Sequence, residues 1–566
     1  MKPTLRLANL RPTLLLLLPY LLVSCGSNTS TSKVTYTIGG TVQNLAVPGG
    51  SVVLQDNGGD TDTLSANGAF TFPTAVASGG AYNVTVQTQP TSPAQNCQVT
   101  NGLGTANANV TNIVVNCAHG EWTWVGGSNL TVQPGTYGTP GVAAVGNIPG
   151  ARSNGVNWKD SSGNLWLFGG DGYDKNSANG FMNDLWKYSI SNGEWTWVGG
   201  PNTNTNLLKE NNGNYGMQGV SATTNVPGAR GFDVSWTDSA GNFWLFGGFG
   251  NDSNGAQGDM NDLWEYTTSG QWIWIGGPKT NTNLVMENNG NYGMMGMPAT
   301  SNLPGARDSA FAWTDSSGNL WLFGGFGLDS AGTSGYLNDL WKYTISTNQW
   351  TWVGGPKFTN VAQNNGTYGM LSMPAASNIP GARISGAIWT DSSGNFWLLG
   401  GFGLDSAGTN GGGYLNDLWK YNVSSGQWTW MSGSKTLTTS TNYGTLGTAA
   451  AANFPGARWL PVSWTDSSGN LWLFGGVAYD SAGTFADIDD LWEYNTSSNQ
   501  WAWMGGPKVA SQPGTYGTQG KPAPGNVPGS RDSSFSWTDA SGNLWLFGGN
   551  VSGANGNFND LWMYLP

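Results

Sequence analysis

The sequence predicts an all-β protein: a small disulfide-linked β-sandwich, then a six-bladed β-propeller closed by an N-terminal strand. Three observations predict it. First, Trp-Leu-Phe-Gly-Gly begins at Trp166, Trp244, Trp321, Trp472 and Trp545, and Trp-Leu-Leu-Gly-Gly at Trp397. One unit therefore recurs six times at spacings of 73 to 78 residues, the scale of a repeat architecture. Second, the units consist of apolar and aromatic runs broken by Gly and Asn turns, with no long helical period. Third, the last unit lacks its final strand, and an unclaimed strand of that type precedes the first unit.

The chain opens on a targeting segment, residues 1–24. Lys2, Arg6 and Arg11 form a basic region, and Leu14 to Leu18 then Leu21 to Val23 a short apolar one, interrupted by Pro19. That run is too short to span a bilayer comfortably. It ends Leu22-Val23-Ser24-Cys25, which resembles a bacterial lipobox. The resemblance implies cleavage before Cys25 and a lipid on it, making that anchor the only membrane attachment. Gly26 rather than Asp follows Cys25, which points to the outer membrane if the cell is Gram-negative. Residues 25–32 read as a flexible tether. Outside the cytoplasm, Cys97 and Cys117 are then free to pair. Closing that loop contributes about 3 kcal/mol by chain entropy.

Residues 33–118 alternate in short runs such as Val34 to Ile38, Ser51 to Leu54 and Tyr82 to Val86. They read as a β-sandwich pinned by Cys97 and Cys117, and serve as a spacer. The pattern loosely resembles the Ig-like or carboxypeptidase-regulatory-like modules of bacterial surface proteins.

Residues 119–566 hold the repeats, each read as four strands. In the first, strand A runs from Arg152 to Trp158, B covers Leu165 to Phe168 and ends at Gly169-Gly170, C covers Leu185 to Tyr188, and D covers Trp195 to Val198. The A–B turn is Asp-Ser-Ser-Gly-Asn or a close variant, with Gly suited to a left-handed residue and Asp to capping. Trp counting supports closure. Moving Trp122-Thr123-Trp124 into the sixth unit gives every unit five Trp, leaving only Trp459 of the 31. An N-terminal strand that completes the last blade closes a ring, which an open solenoid does not need.

Arg, a strand, Gly-Gly, Asp-Leu-Trp-x-Tyr and a closing Trp resemble the kelch repeat across residues 120–566. The resemblance implies a six-bladed kelch-type propeller related to the central domain of galactose oxidase. These units exceed the usual kelch length of roughly 50 residues, mainly between D and the next A. The copper chemistry of galactose oxidase needs two His and a Tyr crosslinked to Cys. This chain has one His, His119, and no Cys in the repeats. An enzyme of the sialic-acid epimerase or mutarotase type, working through carboxylates, stays open.

Charge narrows the partners. With 33 acidic and 21 basic residues and a net charge of −12, nucleic acid is excluded as a partner. The expected role is a non-enzymatic envelope protein that binds a glycan or an extracytoplasmic protein. A purely structural surface component is a further alternative. Up-and-down strand order puts the long D–A and B–C connections at one end, the expected ligand face. Candidates there are Asp308 and Asp532, which each follow the strand-A Arg, and Asp233, Glu210, Glu287 and Trp459. Tyr215, Tyr292 and Tyr368 of the D–A loops are candidates for stacking on sugars.

Six Arg occupy one repeat position: Arg152, Arg230, Arg307, Arg383, Arg458 and Arg531. They form either a cationic ring for carboxylates or structural pairs with Asp184, Asp262, Asp339, Asp417, Asp490 and Asp560. Pairing is favoured because a buried Arg needs a partner. No metal or cofactor is expected. The single Asp in each B–C loop (Asp174, Asp252, Asp329, Asp405, Asp480) makes a thin calcium ligand set and suits turn capping better.

Overall fold

The structure is a computed structural model. It describes residues 33–43, 45, 50–90, 95–118, 120–204, 211–281, 286–359, 362–409, 411–438, 441–551 and 556–566. The expected signal peptide, Cys25, the tether, His119 and Glu210 lie outside the described residues. The described residues are all β, with two single-turn 3-10 segments and no α-helix.

Two four-stranded sheets form before residue 119. One orders Gly68–Thr71, Ile38–Gln43, Val110–Ala118 and Asn96–Thr100; the other orders Asp60–Leu64, Val52–Asp56, Gly80–Thr88 and Leu103–Ala106. Alternate residues of both, among them Ile38, Leu54, Val84, Ile113 and Val115, share one apolar cluster. Cys97 and Cys117 face each other across adjacent antiparallel strands and form a disulfide.

Each repeat builds one antiparallel four-stranded sheet. The third is Phe311–Thr314, Leu320–Leu328, Ser334–Thr344 and Gln349–Gly354, in sequence order. The sixth takes Phe535–Thr538, Leu544–Phe547 and Leu561–Leu565 from the C-terminus, and its fourth strand is Glu121–Gly126. Trp122 pairs there with Tyr564, and Trp124 with Trp562.

The first strands of the six sheets touch in succession, and Phe535–Thr538 of the sixth touches Val156–Lys159 of the first. A backbone chain of hydrogen bonds follows the same path. Phe232 N–H donates to Asn154 O (2.7 Å), Ser309 to Phe232 (2.8 Å), Ser385 to Ser309 (3.2 Å), Leu460 to Ser385 (2.8 Å), Ser533 to Leu460 (3.0 Å), and Asn154 to Ser533 (3.2 Å). All six residues have φ of 53° to 60°. A left-handed conformation costs a non-Gly residue about 1–2 kcal/mol, and here each gains two hydrogen bonds to neighbouring sheets.

Large side chains fill the gaps between sheets. Trp158 stacks on Phe243 of the next sheet at 5.1 Å, and Trp313 on Phe396 at 5.2 Å. Trp236 Nε1 donates to Trp321 O, and Trp537 Nε1 to Trp158 O. This accounts for the fixed Trp positions as inter-sheet packing. In every A–B turn the Asp accepts from backbone N–H groups; Asp315 accepts from Ser317 and Asn319. Its second oxygen takes Trp321 Nε1 at 2.8 Å.

The long D–A connections run differently from the sequence expectation. After its Tyr-Gly, each returns along the outermost strand of the sheet that follows. Ala143–Ala144 pair with Thr196 and Trp195. Ala222, Ala299, Ala375 and Ala450 bridge Trp272, Trp350, Trp428 and Trp501, and Ala523 bridges Trp122. These stretches cover sheet edges that would otherwise offer unpaired backbone to other chains. The length of these connections is used in this way.

Candidate functional site

Each Gly-Gly ends the flat part of strand B. Gly401 has φ 93°, and a Cβ there would collide with Ile384 O. The ladder shifts register between Leu399 and Gly401. Beyond this kink, strands B and C continue as a second hairpin, and the strand-A Arg pairs with it. In the fourth sheet Arg383 opposes Gly403, and Ile384 opposes Phe402.

Under the hairpins lie six copies of one buried cluster. Each Arg is bidentate to its Asp, with Nη1–Oδ1 distances of 2.6 to 2.8 Å and no side-chain exposure. The second Asp oxygen accepts from the Trp two residues on (2.6 to 2.8 Å). It also accepts from the D–A loop Tyr (2.6 to 3.1 Å). Each Arg further donates Nε and Nη1 to backbone carbonyls, as Arg383 does to Gly381 and Gly400. Four of the five guanidinium N–H donors are thus taken and the side chain is dry, so the Arg presents no charge to a ligand.

This corrects one expectation. Tyr215, Tyr292 and Tyr368 are 3%, 2% and 3% exposed, so they offer no face for a sugar. They anchor the D–A loops to the Asp. Burial, then the Asp262 charge, push the Tyr215 phenol far above its ordinary range. The Asp of the B–C loops also cap turns. Asp329 Oδ1 accepts from Ala331 and Thr333, and Oδ2 from Thr359 N.

Asn183, Asn261, Asn338, Asn416 and Asn559 stitch each sheet to the next by donating to a Pro carbonyl. The fifth sheet has Asp489 at this position, bonded to Ser530 Oγ at 3.0 Å. Burial pushes its carboxyl up to about 8. The native state therefore holds a proton that the unfolded chain releases above its ordinary range. Stability falls as pH rises from about 4 to about 8 and then levels. Asp489→Asn is expected to melt higher than the parent, by a margin that widens from pH 4 to pH 8. Parallel melts across that range check it; a pH-independent margin would contradict it.

The hairpins carry the departures from the repeat. Phe326 contacts Tyr336 (5.4 Å), Tyr336 contacts Phe402 (5.7 Å), and Phe402 contacts Tyr414 (5.1 Å). Tyr414 in turn meets Phe485 (4.1 Å), Tyr479 (6.3 Å) and Trp459 (6.4 Å). These seven partly exposed rings form a continuous arc over the third, fourth and fifth sheets. Tyr336, Tyr414 and Tyr479 each leave part of the side chain open to solvent. Tyr414 is raised by burial and then by the nearby Tyr479 and Tyr336 phenols.

Carboxyls flank the arc. At one end Asp259 and Asp308 form a side-chain pair bridging the second and third sheets. Burial, then Asp308, raise Asp259 to about 8. Asp308 also acts on Tyr336, which joins this pair to the arc. At the other end Asp487, two residues after Phe485, pairs with Asp532; burial, then Asp487, raise Asp532 to about 7. Asp487 and Asp532 are 2% and 4% exposed, whereas Asp308 is partly open. Beyond Asp532 the hairpins carry Asn550, Asn557 and a half-buried Asp171. Asp233 is separate from these pairs. Its buried oxygens accept no hydrogen bond, and burial raises it to about 7.

The structure thus gathers Asp308, Asp532 and Trp459 at one mouth. Glu287 is exposed in the loop before the third sheet and takes part in none of these contacts. Sequence reasoning missed Asp259, Asp487 and the six rings other than Trp459. No group of three or more His, Cys, Asp or Glu suited to a metal occurs among the described residues.

No family model matches this chain, and no curated protein sequence matches it. Among solved structures, it is similar to one titled "Structure of YjhT", at 12% identity. That alignment covers 76% of this chain and 96% of that chain, with a TM-score of 0.39.

Proposed function

We propose that the chain is an exported envelope protein, lipid-anchored through Cys25, that binds a glycan at the hairpin mouth without catalysing a reaction. Its repeats form a six-bladed kelch-type propeller closed by Glu121–Gly126. Contact between the first and sixth sheets and the cyclic backbone chain support that architecture. The single observation that carries the binding reading is the aromatic arc. Interior packing repeats in all six sheets, whereas the seven-ring arc belongs to three of them and leaves its rings partly open; the first two sheets carry a separate Phe181–Phe249 pair. Aromatic faces with phenol hydroxyls beside them suit the apolar faces and hydroxyl rims of sugars.

The test is a thermal-shift panel of neutral, acidic and amino glycans against the protein from residue 33 onward. A ligand of the native state raises the melting temperature. One sugar class is expected to do so, and Tyr414→Ala is expected to remove the shift while the protein still melts cooperatively, at a lower temperature because four ring contacts are lost. No shift with any sugar would overturn this reading in favour of an extracytoplasmic protein partner. A second reading, a sugar-processing enzyme, draws on Asp259 and Asp532, whose raised carboxyls suit proton transfer near neutral pH. Turnover of the bound sugar, lost in Asp308→Asn, would establish it.

A further inference from the structure

We infer that the glycan taken at this mouth carries free amino groups: a linear polymer of de-N-acetylated hexosamine. The inference rests on the glycan-binding reading and specifies its ligand. Three features of the mouth point the same way. Its arc of seven rings spans three adjacent sheets, so it presents an extended wall rather than a single-sugar cup. An extended wall suits several consecutive residues of a chain. Ring faces also attract ammonium groups, which they do not do for acetamides.

The second feature is charge. The hairpins of the second to sixth sheets (249–259, 326–336, 402–414, 477–487 and 550–557) contain neither Lys nor Arg. The Arg beneath them are consumed by their Asp partners. These five hairpins therefore offer no cation to a carboxylate or sulfate, and the one cation of the six, Lys175, stands exposed in the first hairpin away from the arc, so uronic, sialic and sulfated glycans are disfavoured along the arc. Asp308 and Asp259 close one end of the arc, and Asp171 stands half-buried on the opposite stretch. An ammonium placed beside Asp308 would replace the carboxyl–carboxyl contact with a charge-assisted hydrogen bond.

The third feature is the cluster of Tyr336, Tyr414 and Tyr479 phenols, near enough to influence one another. They serve the ring hydroxyls that a hexosamine retains. A basic peptide would match the carboxyls but has no need of this hydroxyl set.

The experiment is calorimetric titration of the full mature protein at pH 6 and low salt with four hexamers: glucosamine, N-acetylglucosamine, cellohexaose and hexalysine. Glucosamine hexamer is expected to bind at least tenfold more tightly than the two neutral sugars, with an advantage that shrinks in salt. Asp308→Asn, checked for a melt no lower than the parent's, is expected to cut that advantage at least fivefold; Asp259→Asn serves as the second variant. Equal affinity for glucosamine hexamer and cellohexaose would overturn the amine inference and leave glycan binding intact. No binding of any sugar would overturn both. Hexalysine binding as tightly as glucosamine hexamer would overturn the inference in favour of a basic peptide.

Discussion

Arg383→Ala is expected to destabilise the protein by about 3–5 kcal/mol, the cost of stranding one member of a buried ion pair. Arg383 has no exposure and makes four hydrogen bonds: to Gly381 O (2.8 Å), Gly400 O (3.1 Å) and both Asp417 oxygens (2.7 Å each). Its removal leaves Asp417 as a dry carboxylate held only by Tyr368 and Trp419. The Gly400 carbonyl at the kink and the Gly381 carbonyl before strand A lose their donor as well. Arg383→Lys should recover little, because an ammonium cannot reproduce the planar fork. Replacing both partners, Arg383→Met with Asp417→Leu, should recover much of the loss, since no charge is then stranded. Denaturant melts of the three variants check this. A loss under 1 kcal/mol for Arg383→Ala would show that the pair is not dry.

The second large effect is expected at the seam. Trp122 lies in Glu121–Gly126, more than 400 residues from its strand partner, and is 5% exposed. Its ring meets Tyr564 at 5.0 Å and Phe474 at 5.3 Å, so it touches both the sixth sheet and the fifth. Trp122→Ala should cost about 3–5 kcal/mol, as for other large aromatics removed from cores. Trp272 occupies the matching position in the second sheet, where its strand neighbours are close in sequence. Trp272→Ala leaves a similar cavity but does not loosen the strand that pairs the N-terminal end of the repeats with the C-terminal strands. Trp122→Ala is therefore expected to be the more protease-sensitive of the two at equal equilibrium stability. Equal cleavage rates would contradict a special role for the seam.

Much of this was legible in the sequence, for identifiable reasons. The Gly-Gly and Asp-Leu-Trp markers repeat because each sheet needs the same kink and the same Arg–Asp contact. Equal numbers of Arg and Asp at fixed positions therefore pointed to pairs. Alternation and missing helical period gave the all-β class, and Cys97 and Cys117 are bonded. The role of the loop Tyr was harder to read, since a repeated Tyr fits either a stacking platform or an anchor. Only the 2.6 Å contact of Tyr368 with Asp417 separates the two. The D–A loops looked like a binding surface by length alone, and edge protection leaves no comparable sequence mark.

The mouth was legible in part. Asp308, Asp532 and Trp459 stood out as departures after the Arg. Their partners sit in two other columns: the residue after Gly-Gly, and the residue three before the strand-C Asp. Read in order, the first column is Asp171, Phe249, Phe326, Phe402, Val477, Asn550, and the second is Phe181, Asp259, Tyr336, Tyr414, Asp487, Asn557. Both columns are aromatic together only on the third and fourth sheets. That coincidence has meaning only once strand pairing places the columns side by side, as Phe326 opposite Tyr336 and Phe402 opposite Tyr414.

The central claim is that ligand enters at the hairpins of the third to fifth sheets. Backbone hydrogen exchange, with and without the sugar that gives the largest thermal shift, tests it most directly. Protection is expected in residues 326–336, 402–414 and 477–487, and none along the D–A stretches 217–224, 294–301 and 370–377. Protection confined to those outer stretches, or to the A–B turns at the opposite end, would contradict it.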